Sequence, residues 1–315
     1  MARFVTLTLN PALDIATSTA RVEPTHKLRC DTATRYAGGG GVNVARVLHR
    51  LGADVLAWAL AGGPAGAQLV QRLEDEGVPV HAQPIAGDTR ENLSVMDRSS
   101  GLEYRFVLPG PTLHAADWHT CRQGLQAMAP APHWLVASGS LPPGLPDSTY
   151  ADLAGLARTQ GWRLVVDTSG PALAQALAAG VAVAKPSLRE LRDTTGLPLE
   201  APTDWARATQ ALVQAGQAEV VALSLGEQGA LLATREGVWR APALALTAAT
   251  GTTGAGDCFL ATLLWALDAG HPPPEALRWA VAGGGAALLT PGTGLAQAGD
   301  LHRLVQDVPA PQRLG

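Results

Sequence analysis

The chain has 315 residues, of which 47% are apolar and 16% charged, with a formal net charge of −4. That length allows one large domain or two ordinary ones, and the mild acidity excludes a broad nucleic-acid surface. No apolar run reaches the ~18 residues of a spanning helix, so neither nucleic acid nor a membrane is an expected partner. RFVTLTL opens as a strand without a signal peptide's long apolar core. A polar stretch with strand character runs from about Asp14 to Tyr36, and GVNVARVLHRLG (41–52) has helical spacing ended by glycine. DVLAWALAG is a buried strand, and AGAQLVQRLEDEGV an amphipathic helix with a glycine stop. ENLSVMDR (91–98) and LEYRFVLPG (102–110), joined by Ser-Ser-Gly, read as an exposed hairpin. Then HWLVASGS, RLVVDTSG, VAVAKPS and EVVALSLG are apolar strands separated by helices at LAGLARTQG, PALAQALAAG, a short segment after KPS, and ATQALVQAG. This alternation predicts an α/β fold, a parallel sheet covered on both faces, with a small β appendage beside it. One domain over 1–315 is expected, with a β lid from about 14–37 and 90–108.

Near the end the chain reads TGTTGAGDCF (250–259), followed by the apolar helix FLATLLWALDAG. The first N–H groups of a helix lack internal partners and carry the positive end of its dipole, so the turn Gly254-Ala255-Gly256 is a ready anion site. Asp257 is open to two readings, a helix cap or a reactive acid. Cys258 beside it suits a small buried helix position better than a nucleophile. Cys30, Cys121 and Cys258 are odd in number, widely spaced and lack a CxxC, as suits reduced thiols in the cytoplasm.

Further loops rich in glycine or serine follow buried strands: SGSLPPG (138–144), DTSG (167–170), KPSLRE (185–190) and SLGEQG (224–229), with GGGGVNVAR (38–46) leading into a helix. In open parallel sheets, ligands gather at such strand ends. GxxxxGK[ST], GxGxxG and GxSxG are all absent, which removes the simple forms of P-loop ATPase, dinucleotide enzyme and esterase. Of 23 basic residues only Lys27 and Lys185 are lysine, and Asn10, Asn43 and Asn92 are the only asparagines. A lysine retained among so many arginines points to a place that needs a compact ammonium. Arg90 and Arg105 on the hairpin offer forked donors for a phosphate, or are solvated strand charges. Together these parts fit phosphoryl transfer to an alcohol, with Asp257 taking the hydroxyl proton and the amides of Gly254, Ala255 and Gly256 holding phosphoryl charge.

GTTGAGDCF resembles the C-terminal signature of the PfkB/ribokinase family of sugar kinases. TLTLNPALD, KLRC, GGGGVNVAR, TRENL, EYRFVLPG, SGSLPPG, the Lys-Pro strand end and SLGEQGAL occur in family order along the chain. The likeness implies a ribokinase-like three-layer α/β/α sandwich with a mostly parallel central sheet and a β-sheet lid. Within the family it points to the hexose-phosphate branch, and Gly40, where two of the subgroups usually carry lysine, favours the minor 6-phosphofructokinase type. The implied reaction is ATP-dependent phosphorylation of fructose 6-phosphate at its C1 hydroxyl. Fructose 1-phosphate and tagatose 6-phosphate are the rival acceptors, and a non-catalytic sugar-phosphate-binding regulator is the rival of another class.

Carried over by position, Asp14, Gly39 and Asn43 would hold the sugar, Arg90 and Arg105 its phosphate, and Gly139 and Ser140 would lie nearby. Lys27 would reach the sugar phosphate of a neighbouring subunit in a homodimer clasped through the β lid. Lys185, Ser187, Ser224, Gly226, Gly229 and Gly283 would line ATP, with Glu190 on Mg²⁺. The family's Asn-x-x-Glu reads Ser187-Leu-Arg-Glu190 here, which leaves the metal mostly to Glu190 and ATP oxygens. A potassium ion would sit among Gly251, Thr253, Ala287, Thr290 and Gly292, although Gly251 stands where relatives often have Asp.

Overall fold

The computed structural model describes residues 3–246, 251 and 253–314. The first third holds β1 (Phe4–Thr8), β2 (Ala12–Thr19), β3 (Thr34–Gly38), α1 (Gly40–Arg50), β4 (Val55–Ala61), α2 (Gly63–Asp75), β5 (Val80–Pro84), β6 (Arg90–Asp97) and β7 (Leu102–Phe106). Next come α3 (Ala115–Gln126), β8 (Trp134–Ser138), α4 (Thr149–Gln160), β9 (Arg163–Asp167), α5 (Gly170–Ala179), β10 (Val181–Ala184) and α6 (Leu188–Thr195). The last third is α7 (Pro202–Gln214), β11 (Ala218–Ser224), β12 (Ala230–Thr234), β13 (Gly237–Ala241), α8 (Ala255–Asp268), α9 (Pro273–Ala287), α10 (Ala298–Asp307) and β14 (Gln312–Leu314).

Ten strands form one sheet in the order β14-β13-β12-β11-β10-β9-β8-β1-β4-β5. The run from β11 to β5 is parallel, because each strand is followed by a helical crossover. Successive side chains of a strand face opposite ways, and β1 shows the result. Phe4 belongs to the apolar cluster formed with α1, α2, α8, α9 and α10, whereas Val5 and Leu7 belong to the one formed with α3 to α7. Two apolar layers therefore sandwich the sheet. The hairpin-connected β12 and β13, with β14, extend it in antiparallel fashion where the sequence reading placed no strand.

A second sheet, β3-β2-β6-β7, stands beside the first. Its β6–β7 hairpin turns at Asp97, whose carboxylate accepts from Ser99 Oγ (2.7 Å), Ser99 N (2.8 Å) and Val22 N (3.2 Å). The Ser99 hydroxyl and then these amides hold that carboxyl down at about 2. Only the ends of the polar stretch from Asp14 to Tyr36 are strand, in β2 and β3. No helix among the described residues is long and apolar enough to cross a membrane.

Candidate active site

The carboxyl ends of β1, β8, β9 and β10 open under the second sheet onto a pocket of about 290 Å³. It is lined by Asp14, Gly39, Asn43, Arg90, Arg105, Gly139, Ser140, Glu190, Thr253, Gly254 and Asp257, drawn from segments far apart in sequence. Thr250 and Thr252 of the glycine-rich stretch lie outside the described residues.

Gly254 is the N-cap of α8 and adopts φ 77°, a left-handed conformation that favours glycine. The first helical bond runs from Cys258 N to Gly254 O, so the N–H groups of Ala255, Gly256 and Asp257 lie in the unpaired first turn. Asp257 does not cap this helix. Its Oδ2 instead accepts from Asn43 Nδ2 of α1 at 2.8 Å. Enclosure among protein atoms, then the neighbouring Asp167, push its carboxyl up to about 7, with Asn43 and Lys185 pulling the other way. A carboxylate tuned there can take a proton near neutral pH. Cys258 is fully buried, accepts from Ala296 N at 3.3 Å, and burial pushes its thiol up to about 12, so it is inert packing.

Lys185, just past β10, pairs with Asp167 at the end of β9 (2.9 Å). Burial pulls its ammonium down, but Asp167, with Asp257 and Glu190 behind it, outweighs this and holds it above its ordinary value. A Cβ on Gly256 would stand 3.4 Å from Lys185 Nζ, so the one buried lysine points at the helix-start turn.

On the lid side, Asp14 of β2 accepts from Asn92 Nδ2 of β6 at 2.9 Å. Burial raises its carboxyl, and Asn92, Thr293 and the two arginines only partly reverse that. Arg90 donates to the carbonyls of Asn10 (2.9 Å) and Leu108 (3.2 Å), which fixes its guanidinium at the pocket wall. The glycine run allows close approach rather than mere turning. A Cβ on Gly38 would meet Asp14 Oδ2 at 2.2 Å, and one on Gly40 would meet Ser138 Oγ at 2.3 Å.

Ser187 caps α6. Its hydroxyl accepts from Glu190 N (3.3 Å), and Glu190 Oε2 accepts from Ser187 N (2.7 Å), a capping box that orients the carboxylate while Glu190 still lines the pocket. Ser187 also bridges to Ser224 at the end of β11, and Gly226 and Gly229 follow in the next turn. Gly283 lies elsewhere: it is buried where α9 crosses α8, and a Cβ there would meet Thr262 Oγ1 at 2.2 Å. Lys27 is exposed on the lid and does not line the pocket. Thr253 Oγ1 is buried and has no hydrogen-bond partner among the described residues, while Ala287 O accepts from Thr290 Oγ1 at 3.1 Å. The sequence reading missed Asn92, Asp167 and Thr293. Asn92 carried a signal as one of only three asparagines, and Asp167 as an acid at a strand end; Thr293 carried none.

The model of the pfkB family of carbohydrate kinases matches residues 7–298. ATP-dependent 6-phosphofructokinase isozyme 2 of Mycobacterium tuberculosis is 42% identical over 313 residues, covering 99% of this chain and 92% of the relative. Phosphofructokinase-2 from Escherichia coli, solved in complex with substrates and products, superposes with a TM-score of 0.93 at 38% identity over 98% of this chain and 99% of its own. The same enzyme solved with potassium gives 0.92 at 38% identity and equal coverage. Arabidopsis thaliana ribokinase shares the fold, with a TM-score of 0.73 at 20% identity over 97% of this chain and 99% of its own. The expected homodimer requires correction, because the E. coli enzyme is also known in a tetrameric inhibited form, with a TM-score of 0.91 at 37% identity over 98% and 99% of the two chains. One lid suggests one neighbour, but the number of copies depends on further surfaces to which the motifs give no clue.

Proposed function

With the chain's membership of the pfkB family of carbohydrate kinases as premise, we infer that it transfers the γ-phosphoryl group of ATP to a hexose phosphate, making a bisphosphate. It is an ATP-dependent sugar-phosphate kinase, with fructose 6-phosphate as the acceptor and the C1 hydroxyl as the attacking group. The observation that supports this most is the placement of Asp257: a carboxyl raised to about 7, free of capping duty, beside the unpaired amides of a helix start and near a buried lysine. Asp257 takes the hydroxyl proton as the sugar oxygen bonds to the γ-phosphorus and the bridging oxygen leaves with ADP. The amides of Ala255 and Gly256 and the Lys185 ammonium take up charge on the phosphoryl oxygens. Asp14 holds sugar hydroxyls, and Arg90 and Arg105 hold the 6-phosphate. ATP lies along Ser187, Ser224, Gly226 and Gly229.

Mg²⁺ fits this donor set. It is commonly held by one or two carboxylates plus substrate phosphates, and Glu190 offers one carboxylate oriented toward the pocket. When bound, it neutralises phosphate charge. The Thr253 hydroxyl, unpaired among the described residues, suits an oxygen donor to a potassium ion near Gly251 and Gly292. The reduced thiol pattern supports a cytoplasmic location.

A coupled ADP-release assay over fructose 6-phosphate, fructose 1-phosphate and tagatose 6-phosphate tests the reading. Fructose 6-phosphate is expected to give the highest kcat/KM, and parity with fructose 1-phosphate would overturn the choice of acceptor. Arg90→Ala is expected to raise KM for the sugar phosphate by roughly tenfold to a hundredfold, the worth of a charged hydrogen bond, with KM for ATP unchanged. An effect confined to ATP would place Arg90 on the other ligand.

A further inference from the structure

Arg46 is the one arginine of α1 with almost no exposure, 1%. A buried guanidinium needs a partner for its charge and acceptors for its five N–H groups. Glu76, at the C-terminal end of α2, supplies the first, with Nη2 2.6 Å from Oε1 and Nε 3.0 Å from both oxygens. The same carboxylate also takes Arg50 at 3.0 Å. Burial pushes Glu76 up, and the two guanidiniums more than reverse it, holding it below the usual carboxylate range. The remaining edge of Arg46 faces the pocket wall. Nη1 donates to Ala37 O (2.9 Å) at the end of β3, to Thr293 O (3.0 Å), and at the long distance of 3.5 Å to Asn43 Oδ1.

Two of those three acceptors, Asn43 and Thr293, belong to residues that line the pocket, and the third adjoins its glycine run. Ala37 precedes the glycine run that ends against Asp14 and Ser138. Thr293 lines the pocket beside Asp14. Asn43 carries the amide whose nitrogen donates to Asp257. An amide side chain has an acceptor end and a donor end of nearly equal shape, so its orientation is decided by its neighbours. A cation at the oxygen end and a carboxylate at the nitrogen end both favour the orientation observed. Without the cation, Asn43 is free to present its oxygen to Asp257, which then needs its proton to make that contact.

We propose that Arg46 is a positioning residue: through Asn43 it keeps an N–H donor on Asp257 and so keeps that acid available as a base, while through Thr293 it steadies the wall beside Asp14. The role rests on the kinase reading for its catalytic meaning, but its geometric content stands on the Arg46–Asn43–Asp257 chain alone. Other charged groups facing Asp257 or lining the same pocket are Asp14, Asp167, Lys185, Glu190, Arg90 and Arg105, and none of them is hydrogen-bonded to Arg46.

Arg46→Met removes the guanidinium and keeps an unbranched apolar stem. Because it leaves Glu76 short of a partner, Arg46→Met/Glu76→Gln is the companion variant that keeps the buried site neutral. In both, kcat at pH 7 is expected to fall about tenfold with KM for ATP within twofold, and most of the loss is expected to return above pH 8.5, where Asp257 ionises regardless of Asn43. Arg46→Lys keeps a charge but lacks the fork, and is expected to fall between. A loss equal at every pH, or a pH profile unchanged from the parent, would reduce Arg46 to a packing residue and overturn the proposal. If the parent chain shows no sugar-phosphate-dependent ADP release at all, the kinase reading fails while this one is still decided. The ¹³C carboxyl titration of Asp257, assigned by its loss in Asp257→Asn, moves to higher pH in Arg46→Met if Arg46 acts as proposed, and stays in place if it does not.

Discussion

Asp257→Asn is expected to lower kcat by roughly 10²–10⁴, the contribution typical of a general base, with ATP affinity little changed. The same change is expected to make the folded chain more stable at neutral and alkaline pH. Unfolded, Asp257 ionises near its ordinary 3.8; folded, it keeps its proton up to about 7. Between those values the unfolded chain loses the proton first, so rising pH favours unfolding. At 1.36 kcal/mol per pH unit the accumulated cost is about 4 kcal/mol, absent below about pH 4 and complete above pH 7. Asparagine stays neutral and escapes it. Lys185 loses an attractive neighbour in exchange, so the net gain is expected to be smaller than that. Thermal unfolding should then show a higher Tm than the parent at pH 8 and no difference near pH 4. A variant that is active and less stable at pH 8 would make this acid structural.

The sequence announced the parallel sheet clearly, because buried strands and amphipathic helices differ in both period and length. It was silent on β12 and β13, whose short runs carry no crossover helix to mark them, and on β14, which is only the largely polar triplet Gln312-Arg313-Leu314. The acid and its glycine turn were legible as a unit, since an anion hole and its base can share one helical turn. What remained open was whether Asp257 caps the helix, because the answer lies in Asn43, 214 residues away in the chain. Gly283 shows the opposite limit. A glycine needed for a ligand and one needed for a close helix crossing look alike in sequence, and here the 2.2 Å approach to Thr262 gives Gly283 a packing reason of its own. Thr293 was invisible because its hydroxyl acts on Asp14 and its carbonyl accepts from Arg46, both far away in the chain, and a lone threonine carries no local mark of either contact.

The scarcity of lysine bears most directly on Lys185. Lys185→Met is expected to lower kcat by roughly 10²–10³, the usual effect of losing one donor on transition-state charge. It also strands Asp167, whose side chain is 14% exposed, beside Asp257 and without its counter-ion. Breaking a buried pair from one side costs about 3–5 kcal/mol, so the single variant is expected to unfold at a clearly lower temperature. Lys185→Met/Asp167→Asn removes both charges and should regain most of that stability while staying catalytically poor, which separates folding from function. Lys185→Arg is the sharper case. The nitrogen faces the helix-start turn, in ordinary contact range (3.4 Å) of a Cβ placed on Gly256, and a longer, planar guanidinium sets its charge at a different place and angle before that turn. Its kcat is expected to stay at least 10²-fold down despite the retained charge, an order of magnitude that follows from loss of oriented charge rather than of charge itself. Near-parental turnover by Lys185→Arg would mean that any cation serves at that strand end, and that a compact ammonium is not what the site requires.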